Sequence, residues 1–459
     1  MNNTAIFDIR RKPFAAMGRN VKPLLLISII ALSDLAVFGQ VKWDLAKCIN
    51  YALDNNIELN KKYNAVNAQE IDLRESRLSI LPDLNLGSTF DVNFGRNIDG
   101  NTNAITYDRT YRNSYWANSS VDLFRGLVKS NNIRFNRYLL MAKTQEAELQ
   151  KNMLIAEIMS SFYMALYSQG LMEVAKNQLD LSGLQFERMQ KFVEVGRESP
   201  LTAQELKSQW AADKLSLTRA ANNSRRSLLE LKQLLRLNAS GYFEIDSTIL
   251  NVAALSSTPD VDSLFKMSVG LLPEVKQKQF LLDASRKDLA MAKGNILPSI
   301  YMSGGFSTGY FDGDTLSYKN QMNNNQNQWV SMGIRIPVFN NASAYSRIKR
   351  KQIAVEDRKL DLEKQRDDLY SEIWTAVDEL QAARNEYLSA NELYGFSKLS
   401  LENVSKRLEK GLVSSTEFES AKQRFISAKA GLLKSRLIYI MRKQMLEFYR
   451  TGNWNHLLM

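Results

Sequence analysis

One cysteine, one histidine and eight prolines are spread over 459 residues. A single cysteine forms no intrachain disulfide. The lone histidine, His456, stands three residues from the end, so a Ser-His-Asp arrangement has no credible general base. No His/Cys cluster is spaced to hold zinc, and neither a phosphate-cradling glycine loop nor an acidic calcium loop is found. An enzyme is therefore not expected, and no cofactor or metal is implied. The body of the chain contains nothing near the roughly 20 apolar residues of a membrane-spanning helix, so any contact with lipid falls to strands. Neither sign of charge dominates: 60 Lys and Arg stand against 49 Asp and Glu, interleaved in segments such as RKLDLEKQRDD. Such a mixture is a solvated helix surface rather than a nucleic-acid face.

The N-terminus carries Arg10, Arg11, Lys12, Arg19 and Lys22, followed by the apolar run Pro23–Phe38, broken only by Ser28, Ser33 and Asp34. This reads as a secretory signal peptide over 1–39, with Gln40 as first mature residue and Met17 as an alternative start. The run is short for the alternative, an N-terminal anchor helix. Removal leaves 55 basic and 47 acidic residues, about +8. Cys48 follows no lipoprotein-type cleavage box and falls in an amphipathic helix, where it reads as a core residue.

What the chain does contain is a clean two-residue alternation, found four times. From Asp83 the apolar residues are Leu84, Leu86, Phe90, Val92 and Phe94, and the polar or small ones are Asp83, Asn85, Gly87, Asp91 and Asn93. Alternate side chains of a strand point to opposite faces. One face suits hydrocarbon and the other water, as a membrane β-barrel wall requires. Partners follow at Tyr115, Ala117, Val121 and Leu123. A displacement of 216 residues brings the pattern back: Ile80-Leu81-Pro82 becomes Ile296-Leu297-Pro298, and Leu84, Leu86, Phe90 and Phe94 become Ile300, Met302, Phe306 and Tyr310. After the next loop the displacement is 215, and Phe124 meets Phe339, Ile133 meets Ile348 and Gly196 meets Gly411. The change falls in 96–113 and 311–327, rich in Asn, Asp and Gly and read as solvated loops. The chain is a duplicated unit. The first repeat covers 40–242, a linker 243–260, the second repeat 261–454 and a tail 455–459. Strands are expected over about 83–95, 114–124, 299–310 and 328–339.

Each strand pair leads into a helix far longer than usual. The spans 125–195 and 342–410 contain no proline, and about 70 residues at 1.5 Å each give roughly 100 Å. Both end at a glycine, Gly196 or Gly411. Return helices over about 199–238 and 415–450 start at Ser199-Pro200 and at Ser414-Ser415-Thr416, good N-cap sequences. The seam repeats every seven residues: Leu380, Tyr387, Tyr394, Leu401 and Leu408 alternate with Ala376, Ala383, Ala390, Ser397 and Val404. The return helix answers with Phe418, Phe425, Leu432 and Tyr439 against Ala421, Ala428 and Ser435. Large knobs facing small residues fit antiparallel coiled-coil packing. The expected class is mainly α with a small β part. A soluble coiled-coil adaptor is the competing reading, and it leaves the amphipathic strands unexplained.

Four strands leave two unpaired edges, which lipid does not tolerate. Three chains would give twelve strands around a channel, and a cyclic homotrimer also closes a helical wall. Asp91, Asn93, Asn118, Asp122 and Arg335 are then expected to face a wet lumen.

With the duplicated helix–strand–strand–helix–helix unit, the Leu-Pro before each strand pair and the glycine at each helical turn, the chain resembles the TolC-like outer-membrane efflux protein family from about Trp43 to Trp454. The resemblance implies a trimer in the outer membrane, with a twelve-stranded β-barrel and a periplasmic α-helical barrel. It further implies a passive exit duct for a drug efflux pump or for type I secretion. The partners implied are an inner-membrane transporter and a periplasmic adaptor touching the helical tips. Adaptor contact is assigned to the tip residues Gly196, Pro200, Gly411 and Ser414, where the paired helices would move outward. The family pattern places acidic residues six and nine positions after the second turn glycine at the periplasmic constriction. Glu417 matches the first and Ser420 departs at the second; Thr202 and Glu205 hold the equivalent places in the first repeat. Three copies of Glu417 would favour cations. The linker and tail are assigned to a girdle midway along the helical barrel.

Overall fold

The computed structural model describes residues 42–98, 104–107, 109–238, 241, 243–246, 259–339, 341–410 and 412–458. The signal-peptide reading over 1–39, Gly411 and most of the linker lie outside the described residues. The first repeat contains α1 (Leu45–Asn55), α2 (Ile57–Leu78), β1 (Asn85–Asn93), β2 (Asn97–Ile98), β3 (Ile105–Thr106), β4 (Thr110–Arg125), α3 (Val128–Glu194) and α4 (Pro200–Leu234). The second contains α5 (Val261–Val269), α6 (Pro273–Gly294), β5 (Ser299–Phe311), α7 (Tyr318–Asn324), β6 (Asn327–Arg335), α8 (Ser343–Glu409), α9 (Ser415–Thr451) and the short α10 (Asn455–Leu458).

Local chemistry sets most boundaries. Asp44 accepts the Lys47 amide at 2.7 Å and opens α1. Asn56 ends α1 and accepts the Leu59 amide at 2.9 Å to open α2, so the expected single helix before the strands is two. Ser199 caps α4 with Pro200 in its first turn, and Ser414 caps α9. These side-chain acceptors satisfy amides that a helix start leaves without partners.

The two 67-residue helices, α3 and α8, each fold back on a return helix, giving hairpins α3/α4 and α8/α9; α6 bridges α3 and α8. The seams meet ring to ring. Tyr387 stacks on Tyr439 at 5.9 Å and Phe186 on Trp210 at 6.0 Å, and Tyr394 meets Phe425 at a tilt at 5.7 Å. Small residues let the helices approach: Ala421, Ala428 and Ser435 are buried. The largest core gathers mid-length around Phe162, Leu231, Ile373 and Tyr439, with α1 and α5 packed on it. There Trp43 bridges to Ile245 of the linker, donating its amide to Glu244 at 2.8 Å. Trp454 stacks on Phe448 at 4.5 Å.

The four-stranded antiparallel sheet has the order β1-β4-β5-β6, leaving β1 and β6 as edges. Two segments differ from the sequence expectation. β4 starts at Thr110, not 114, because Arg112 pairs opposite Asp91 and Tyr111 lies against Phe90 at 6.0 Å. β6 stops at Arg335, not 339, since Pro337 has no amide to give a ladder. The loop expected over 311–327 holds α7. Its buried Gln321 donates to the carbonyls of Phe311 and Leu316 and accepts the Phe311 amide at 2.9 Å.

Candidate functional site

Ladder register assigns every strand residue to one of two faces. Asp91 pairs with Arg112, Asn93 with Thr110 and Asn85 with Asn118; Asn118 pairs onward with Gly305, Asp122 with Tyr301, and Ser299 with Arg335. Directly paired residues share a face. Asp91, Asn93, Asn118, Asp122 and Arg335 therefore lie on one face, with Ser114, Ser120, Ser303, Ser307, Asn327 and Ser331. A register shift between Asp122 and Phe124 keeps Phe124 off that face and turns Arg125 onto it, as a β-bulge does. Indoles and a phenol lie flat on the same face over glycines of neighbouring strands: Trp116 on Gly87, Trp329 on Gly305 and Tyr301 on Gly333, none of which has room for a Cβ.

The opposite face carries Leu86, Phe90, Val121, Ile300, Met302, Phe306, Val330, Met332 and Ile334. Val330 is 80% exposed, and Leu86, Phe90, Met332 and Ile334 are exposed as well. A contiguous apolar sheet face left in water is not tolerated by a soluble protein. At the outer end Tyr115, Tyr310 and the α7 residue Tyr318 cluster; the Tyr115 and Tyr318 hydroxyls lie 3.1 Å apart and the Tyr310 and Tyr318 rings 5.1 Å apart. Aromatic girdles of this kind sit at the edge of a hydrocarbon layer. At the inner end Asp122 forms an ion pair with Lys129 at 3.4 Å and lies 3.6 Å from Arg125. These line a cavity of about 520 Å³ together with Asp83 and Arg335.

At the far end of the hairpins, Gly196 turns the chain with φ +73°, a conformation glycine adopts without strain. Thr202 and Ser414 line one tip cavity of about 640 Å³ between the hairpins. Pro200 lies in the first turn of α4. Glu205 is exposed on α4, and Glu417 and Ser420 are exposed one turn apart on α9. The Glu417 amide donates to Ser414 Oγ at 3.2 Å, the S-x-x-E spacing of a capping box. Its carboxylate lies 3.7 Å from Arg407 of α8, a partner ten residues away across the turn that no local pattern signals.

Residues 271–447 match the outer membrane efflux protein family. Outer membrane protein TolC of Vibrio cholerae is 19% identical over 435 residues, covering 92% of this chain and 93% of that protein. The chain is similar to the TolC-like outer-membrane efflux proteins along nearly its whole length. Solved channels share its fold: CusC with a TM-score of 0.76, 17% identity and coverage of 90% and 93%; and the Campylobacter jejuni CmeC outer membrane channel with a TM-score of 0.76, 15% identity and coverage of 89% and 86%. Among the described residues of this TolC-like chain no helix is long and apolar enough to cross a membrane.

Midway along the helices the TolC-like chain holds a carboxyl group in a costly place. Burial, with Glu372 nearby, raises the Glu274 carboxyl above its ordinary value near 4.5. A raised native pKa penalises the fold fully at pH above it and not at all below the unfolded value, where both states are protonated. Glu274→Gln is expected to raise the melting temperature by a few degrees at pH 8. That gain should disappear as the pH falls toward 4, and an equal gain at both values would exclude titration of Glu274 as its cause.

Proposed function

We propose that three copies close a twelve-stranded barrel in the outer membrane and continue as a helical barrel into the periplasm. The assembly is the passive exit duct of a tripartite efflux pump or a type I secretion system. The single observation that carries this reading is the two-faced sheet with two unpaired edges: its apolar face needs lipid, and its edges need strands from other copies. Face assignments support a wet lumen lined by Asp91, Asn93, Asn118, Asp122 and Arg335. The tips, with Gly196, Pro200, Gly411 and Ser414, meet a periplasmic adaptor that couples the duct to an inner-membrane transporter, which supplies the energy. Detergent-extracted protein is expected to be trimeric and to pass ions in a planar bilayer. Protein that stays monomeric in mild detergent and carries no current would overturn the proposal.

The entrance is placed at Glu417 and Ser420 of α9, with Thr202 and Glu205 of α4 on the companion hairpin. Two carboxylates per copy, Glu205 and Glu417, the second already facing Arg407, make a weakly acidic ring. Arg407→Gln is expected to raise the cation-to-anion permeability ratio about twofold, and Glu417→Gln to lower it by a similar factor, since each changes the ring by three charges. Reversal potentials across a salt gradient measure both; identical values in the two variants would place the selectivity ring elsewhere.

A further inference from the structure

About two turns into α9 and nearly four turns into α4 lies a charged cluster sealed from water. The side chains of Lys422 on α9 and Asp213 on α4 are 1% and 3% exposed, with Nζ 3.4 Å from Oδ2. Lys422 Nζ also lies 3.0 Å from Glu419 Oε2. The second oxygen of Asp213 accepts from Gln178 of α3 at 2.6 Å and from Gln209 at 3.0 Å. Both carboxylate oxygens thus have donors, the condition under which a buried ion pair is tolerable. The cluster spans three helices and joins the first repeat to the second.

Its position breaks the internal symmetry of the chain. Asp213 occupies the seam step seven residues after Leu206, where coiled coils are apolar. The 215-residue displacement carries Asp213 to Ala428, which is buried, Gln178 to the exposed Leu393, and Lys422 back to the exposed Lys207. The second hairpin therefore cannot form the same joint with its other neighbour. A polar group at a core position fixes register and partner, and leaving one member without the other is strongly unfavourable. The tip cavity lies next to this joint, and Glu419 belongs to both.

We propose that Asp213 and Lys422 are positioning residues that lock the first hairpin to the second within one chain and so set the closed spacing of the tips. Any opening is then taken up below this joint or between copies, not by sliding the hairpins past each other at its level. The inference rests on the duct reading for its consequence, but its test does not need a current. Cysteines at Arg197 and Val413, on opposite sides of the tip cavity, report hairpin spacing by their rate of disulfide formation in the purified full-length protein; Cys48, fully buried, does not compete.

Replacing the pair by neutral, hydrogen-bonding side chains (Asp213→Asn with Lys422→Gln) is expected to slow tip crosslinking about tenfold while the melting temperature stays within a few degrees. Gln178→Leu, which installs the residue of the second repeat, should slow it about threefold and serves if the double variant does not fold. Crosslinking within twofold of the unaltered pair in either folded variant overturns the joint. Absence of conductance in the parent protein would instead overturn the duct and leave the crosslinking comparison standing.

Discussion

Val330→Arg is expected to abolish assembly in the outer membrane, while Ser331→Arg, one residue further along the same strand, is expected to leave it intact. Val330 pairs with Gly304 near the middle of β6 and projects from the apolar face; Ser331 pairs with Ser303 on the polar face, their hydroxyls 3.2 Å apart. An arginine on the lipid face near the bilayer midplane costs about 2–4 kcal/mol. In the proposed trimer, three copies sharing one barrel multiply this to roughly 6–12 kcal/mol, comparable with the whole stability of a typical protein. On the polar face the guanidinium stays hydrated and costs little. Heat-resistant oligomer on gels and recovery in the outer-membrane fraction measure both variants. Equal behaviour would mean that the two faces do not meet different solvents, and the channel reading would fail with it.

Legibility in the sequence followed the range of the interaction. Strand alternation was readable because side chains in a strand repeat every two residues whatever lies beyond, and the ladder register then gathered five separated positions, from Asp91 to Arg335, on one face. The heptad seams and the caps at Ser199 and Ser414 were readable for the same reason. Interleaved charges such as Lys364 and Asp368, 3.0 Å apart and exposed, are the solvated surface pairs that the pattern suggested, worth little to stability. What escaped depends on distant partners. α7 is a seven-residue polar segment secured through Gln321, whose bonds reach back to Phe311. Thr110–Asn113 looks like loop until it is set against β1. Nothing local to Lys422 or Asp213 signals their burial, because it depends on a helix 209 positions away. Pairing Arg407 with Glu417 needs the turn between them.

The corners between strand and long helix give the second large expected effect. Gly126 has φ +54° and Leu127 φ +61°; in the second repeat Asn341 and Ala342 have φ +52° and +58°. Two successive left-handed residues turn each strand into its helix, and for a residue with a Cβ this conformation costs roughly 1–2 kcal/mol. The first corner has a further constraint. A Cβ on Gly126 would fall on the carbonyl of Gly294 at the end of α6, and a Cβ on Gly294 would fall on the carbonyl of Gly126. Both obstacles are backbone, so neither can rotate aside. Gly126→Ala therefore adds overpacking of about 1–3 kcal/mol to the conformational cost, roughly 2–5 kcal/mol in all, and should lower the melting temperature sharply or prevent assembly. The second corner has no such clamp: the counterpart of Gly294 is Leu78, which is exposed. Ala342→Gly there relieves the left-handed strain, offset by about 0.5–1 kcal/mol of chain entropy, and is expected to be neutral or stabilising by up to about 1.5 kcal/mol. Thermal melts of the two variants should move apart. If both corners responded alike, the contact between Gly126 and Gly294 would not be what holds the sheet to the helical barrel.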